Sequence, residues 1–143
     1  MKKACKMYIE RMLFVKRRKP HRITADEVED IYEEKKALWV SFDKVGRPVI
    51  VVIPGRHKPG KNFNTWKYSC YMLERGRRML PEDRGDVHQF AAIYSHKGVG
   101  LSNFDIFAYR LFACMGDYWP EFLGKVYIVQ TDWVFQTLFA SFS

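Results

Sequence analysis

Gly55 to Lys61 carries the G-x-x-x-x-G-K spacing of a phosphate-binding loop, and it lies between a strand pattern and a helix pattern, as such a loop must. Two neighbouring residues disable it. Asn62 stands where a Ser or Thr hydroxyl would hold Mg²⁺, and Pro59 brings no amide to a cradle made of backbone N–H groups. Nor does the strand expected over Val87 to Tyr94 end in an aspartate for the metal. The stretch is read as a basic surface turn. His21, His57, His88 and His96 are scattered; the last two bracket a strand but have no third ligand near them in sequence. Cys5, Cys70 and Cys114 have neither metal-binding spacing nor an even count for disulfides, and nothing sets one of them beside a histidine for nucleophilic catalysis. The reading is of a protein that is not an enzyme, with no catalytic residues, no metal and no cofactor.

The elements around these residues belong to one domain, for which 143 residues suffice. Hydrophobic residues make up 48% and aromatics 16%, yet the longest aliphatic run, Val49 to Ile53, is far short of the roughly 20 residues a membrane span needs. No secretory signal pattern opens the chain. Cysteine usage suits a reducing, intracellular setting. The net charge of +8 is concentrated from Met1 to Arg22, where Lys2, Lys3, Lys6, Arg11, Lys16, Arg17, Arg18, Lys19 and Arg22 face Glu10 alone. Such a block attracts a polyanion, either an anionic membrane surface or nucleic acid; a merely solvated helix face is the plain alternative.

Residues 3 to 15 have helical periodicity, with Ala4, Tyr8, Met12 and Val15 on one stripe. Thr24 and Glu27 form a capping box that predicts a short helix to about Lys36. Ala37 to Phe42 and Pro48 to Ile53 read as strands joined through Asp43-Lys44-Val45-Gly46 into an antiparallel hairpin. A helix is expected from Asn64 or Thr65 to about Leu80, with Trp66, Cys70 and Leu73 on one face, and then the strand Val87 to Tyr94. Behind a second capping pair, Ser102 and Asp105, the residues Phe104, Phe107, Ala108, Leu111, Phe112 and Met115 repeat at helical spacing and point to the core.

Gly116 to Phe135 organises the rest. Pro120 stops a helix by about Trp119, Gly124 offers a position free to take positive φ, and Val126 to Val129 is a β-branched and aromatic run. Phe135, Leu138, Phe139 and Phe142 then fall on one helical face. The run YWPEFLGKVYIVQTDWVF closely resembles the signature of CRAL-TRIO domains, the lipid-binding module of phosphatidylinositol/phosphatidylcholine transfer proteins, which reads YPE-x-x-GK-x-Y-I-x-N-A-P-x-x-F. Gln130, Thr131 and Asp132 replace the usual Asn-Ala-Pro. KPHRITADEV, GRPVIVV and KGVGLSN resemble further family segments, with Ser95 where an aspartate is usual.

The resemblance implies an α/β fold, a mixed β-sheet floor flanked by helices. It assigns residues 1–36 to the end of an N-terminal helical region and its linker, and 37–143 to a lipid-binding domain lacking the usual C-terminal part. It implies a lipid pocket with Val51, Ile93, Phe107, Leu111, Tyr127 and Val129, and a gate helix with Trp133, Phe135, Leu138, Phe139 and Phe142. Glu121 answers to a headgroup residue; Lys16 or Arg17 would stand in for a family arginine whose place Val15 takes. The implied function is binding and transfer of phospholipid at membrane surfaces, with phospholipid or another hydrophobic ligand bound, from a cytoplasmic, peripheral position. Partners would be an anionic membrane surface and a protein partner completing the domain; nucleic acid is the weaker reading. The alternative is a non-enzymatic structural or scaffold subunit that retains the fold.

Overall fold

The computed structural model describes residues 2–59, 65–83, 85–103 and 116–131. Their order is α1 (Lys2–Arg18), α2 (Glu29–Tyr32), β1 (Ala37–Phe42), β2 (Pro48–Val52), α3 (Thr65–Arg78), β3 (Phe90–Ser95) and β4 (Leu123–Val129). The helices expected over 104–115 and 132–142 lie outside these residues, as do Gly60 to Asn62.

α1 runs a turn beyond the expected Val15, because the chain leaves the helix only at Lys19, which takes φ 47° with Pro20 behind it. Glu27 closes its half of the capping box by accepting the Thr24 amide at 3.2 Å. The helix behind it is shorter than expected. A 3-10 turn at Asp26–Val28 and four residues of α2 end in a turn where Lys35 takes φ 50°. β1 and β2 form the expected antiparallel hairpin, and Asp43 holds its turn by accepting the Val45 and Arg47 amides at 3.0 and 2.9 Å. β3 begins at Phe90 rather than Val87, where its ladder with β4 begins.

The sheet has the order β1-β2-β3-β4, antiparallel across the first pair and parallel across the other two, so the α/β class with a mixed sheet holds. Strands β2, β3 and β4 advance in one direction. Among the described residues, α3, from the β2–β3 connection, and the turn before β4 pack on one face of the sheet. Ala37, Ile50, Phe90 and Ala92 share a core with Tyr68, Cys70 and Met72 of α3 and with Trp119 and Phe122, which precede β4.

Close approach explains Gly76 and Gly124. At Gly76 of α3 a Cβ would fall inside the Trp39 ring, whose Nε1 donates to the Met72 carbonyl at 2.9 Å. Gly124 does not supply the positive φ expected of it; Glu121 does, at 58°. Gly124 instead sits in a register shift between β3 and β4, where a Cβ would lie 2.9 Å from the Cβ of Gln89.

One carboxylate joins three parts of the chain. Glu74 of α3, 2% exposed, accepts from Arg11 Nη2 of α1 at 2.8 Å, from Trp119 Nε1 at 3.1 Å and from Arg77 Nε at 3.0 Å. The Arg11 guanidinium lies 4.6 Å from the Trp119 ring centre, and Phe14 stacks on Tyr118 at 4.1 Å. Burial alone would push the Glu74 carboxyl up. The Arg11 hydrogen bond and the charges of Arg77 and Arg11 outweigh it and hold the group below the ordinary carboxylate value.

Candidate functional site

A strand shows alternate side chains to opposite faces, so pairing decides which residues of different strands stand together. Val51 of β2 pairs with Ile93 of β3, Ile93 pairs with Tyr127 of β4, and Leu38 of β1 pairs with Val51. These four form one row across the whole sheet. Val129 and Ser95 form the next row, and Val49, Ala91 and Lys125 the row before. All stand on the face away from α3, and none joins the core cluster or packs against it.

That face opens toward β4. Val49 and Ala91 are buried, Val51 and Ile93 are half-buried, and Tyr127 and Val129 are 50% and 38% exposed, as are Val126 and Ile128 on the other face of β4 at 49% and 39%. A parallel sheet normally has both faces covered, so an apolar row open to water implies a further apolar layer. Lys125 is its charged member among the described strand residues. Aliphatic carbon, the Tyr127 phenol, the Ser41 and Ser95 hydroxyls and the one lysine make a surface suited mainly to hydrocarbon, and this donor set fits no metal.

Ser95 and Gln130, two departures from the family pattern, meet. The Ser95 hydroxyl donates to Gln130 Oε1 at 2.6 Å, while Gln130 holds φ 55° just beyond β4. The two replacements are thus joined by a direct hydrogen bond.

Glu121 is exposed in the turn before β4; its backbone carbonyl accepts from Gln89 Nε2 at 3.1 Å, and no ion pair engages its carboxylate among the described residues. Lys16 and Arg17 are exposed on α1, and no described hydrogen bond or ion pair joins either to Glu121. Phe107, Leu111, Trp133, Phe135, Leu138, Phe139 and Phe142 lie outside the described residues. Two features escaped the sequence reading. Leu38 completes the row, and Glu74 ties α1 to the β4 turn; its one signal was a place four residues after Cys70, on the buried stripe of α3.

No helix among the described residues is long and apolar enough to cross a membrane. A family model described as CRAL/TRIO domain matches residues 32–143. Among curated proteins, phosphatidylinositol transfer protein CSR1 of Eremothecium gossypii is 29% identical over 103 residues, or 70% of this chain and 23% of that protein. Among solved structures, the crystal structure of Sfh5 matches with a TM-score of 0.67 at 19% identity, over 90% of this chain and 49% of that one. The chain thus spans about a quarter of the curated relative and half of the solved one.

Proposed function

Because this chain belongs to the CRAL/TRIO domain family, we propose that it binds a phospholipid on the sheet face opposite α3 and passes it between membranes as a carrier, without catalysis. The observation that carries this reading is the continuous apolar row Leu38–Val51–Ile93–Tyr127, with Val129 beside it, open at its β4 end. On this reading an acyl chain lies against that row. The curated relative's name, a phosphatidylinositol transfer protein, supports phospholipid as the cargo. Glu121, which the family resemblance assigns to the polar headgroup, is exposed in the turn leading into β4.

Magnitudes set the working site. A two-chain lipid has roughly 30 methylenes, and at about 0.8 kcal/mol each, leaving the bilayer bare costs on the order of 24 kcal/mol. Uptake and release therefore take place at the membrane surface, with the lipid sheltered between.

Mass spectrometry of an organic extract from natively purified protein tests the reading. Wild type should carry phospholipid, and Tyr127→Asp, which puts a carboxylate under the acyl chain, should lower lipid content about tenfold or more while the protein stays folded. Wild-type protein that yields no lipid and takes none from vesicles would refute the carrier and leave a scaffold of the same fold.

A further inference from the structure

The outer face of α1 has a composition that the lipid-binding face does not explain. Met7, Arg11 and Phe14 turn inward, where Arg11 bonds Glu74 and Phe14 stacks on Tyr118. At 3.6 residues per turn, Tyr8, Ile9, Met12 and Leu13 fall on the opposite side of the helix, within an arc of about 140°. They are 66%, 56%, 53% and 45% exposed, and with Val15 and Lys16 they line a shallow groove. Exposed cations frame them: Lys16 at the C-terminal end of the stripe, with Arg17 and Lys6 along one side, Lys6 also lying 3.8 Å from the Glu10 carboxylate.

We propose that this face of α1 is the surface by which the protein lies on an anionic bilayer, with Tyr8, Ile9, Met12 and Leu13 in the headgroup–acyl boundary and the surrounding cations against lipid phosphates. The proposal rests on the carrier reading, for which it names the surface that meets the membrane. Charge and apolarity together select the occupant. A nucleic acid would use the cations but leave four large apolar side chains in water. A second copy packed through the same face would bring Lys6, Lys16 and Arg17 of the two chains toward one another. A bilayer with anionic lipid satisfies both components, as interfacial helices do.

Co-sedimentation of the whole chain with phosphatidylcholine vesicles, with and without about 30 mol % phosphatidylserine, tests it, because each cation near such a surface is worth about a fivefold change in partition. Wild type should bind the anionic vesicles at least about tenfold more tightly than the neutral ones, and added salt should weaken that binding. Ile9→Asp with Met12→Asp should cost at least about tenfold in vesicle binding at unchanged thermal stability, since both sites are more than half exposed. Its extract should still contain lipid. Met12→Ser serves as the milder variant if the double change perturbs folding.

Unchanged vesicle binding by the variants overturns the proposal. Loss of a concentration-dependent dimer instead assigns the face to a second copy, and salt-sensitive binding to duplex DNA with none to vesicles assigns it to nucleic acid; either outcome overturns it. Vesicle binding that depends on Ile9 and Met12 in a protein whose extracts hold no lipid sinks the carrier and keeps the docking face, so the two failures are distinguishable.

Discussion

Removing the Glu74 carboxylate is the most informative single perturbation of the fold. It accepts from Arg11 of α1, from Arg77 of its own helix and from the indole of Trp119 before β4. Glu74→Ala leaves two cations and an indole N–H without their acceptor. Loss of one partner of a buried pair costs about 3–5 kcal/mol, and the low end applies because the Arg11 side chain is 18% exposed and can recover some water. Stranding the Trp119 N–H adds about 1 kcal/mol. A total near 4 kcal/mol lowers Tm by about 12 °C for a domain of this size. Glu74→Gln keeps an acceptor oxygen for Arg11 and Trp119 and should lose about half as much.

The pH dependence has a fixed sign. The folded-state carboxyl titrates below its ordinary value of 4.5, so its contribution is full above that value and disappears as pH falls through the lower, folded one. Wild type should therefore lose stability below about pH 4.5 more steeply than Glu74→Gln. Urea unfolding followed by tryptophan fluorescence across that range measures both effects. A cost for Glu74→Ala under about 1 kcal/mol, or a Gln variant as unstable as the Ala one, would refute the account of a charged three-way clamp.

Gly76→Ala gains about 1 kcal/mol of helix propensity but drives a methyl into the Trp39 ring, so a net loss of about 1–2 kcal/mol by denaturant melt is expected; a more stable variant would mean that the indole yields easily. Cys70 is fully buried and its thiol is pushed up to about 12 by burial. Maleimide should label exposed Cys5 in the native protein and reach Cys70 only on unfolding; mapping the label by peptide mass decides it. Ser95→Ala removes the donor to Gln130 Oε1 and should cost about 1 kcal/mol, whereas the same change made on Gln130→Ala should cost clearly less.

How much of this was legible follows from what each signal encodes. The hairpin of β1 and β2 stood out because alternation, an Asp-to-Gly turn and a β-branched run agree, and its bounds fell within a residue of those expected. Resemblance nominated Val51, Ile93 and Tyr127 separately. Their alignment in one row is a matter of register, which a period of two leaves open until strands pair. Gly124 was misread because glycine permits two things, positive φ and close approach, and only the position of the Gln89 side chain tells which is in use. Glu74 stayed hidden for a similar reason. A charged residue on a helix reads as solvated until partners distant in sequence, here Arg11 and Trp119, come together around it.

With α3 and the turn before β4 packed on one face, the described polypeptide insulates one side of its own pleated layer; the proposed carrier would lay its lipid on the other. On the carrier reading the passenger is then also a structural component, and occupancy and conformational integrity are linked quantities. A delivered cargo leaves behind a less resilient molecule. Starving a cell of the preferred lipid should therefore shorten the lifetime of the protein itself, which makes its abundance a gauge of supply.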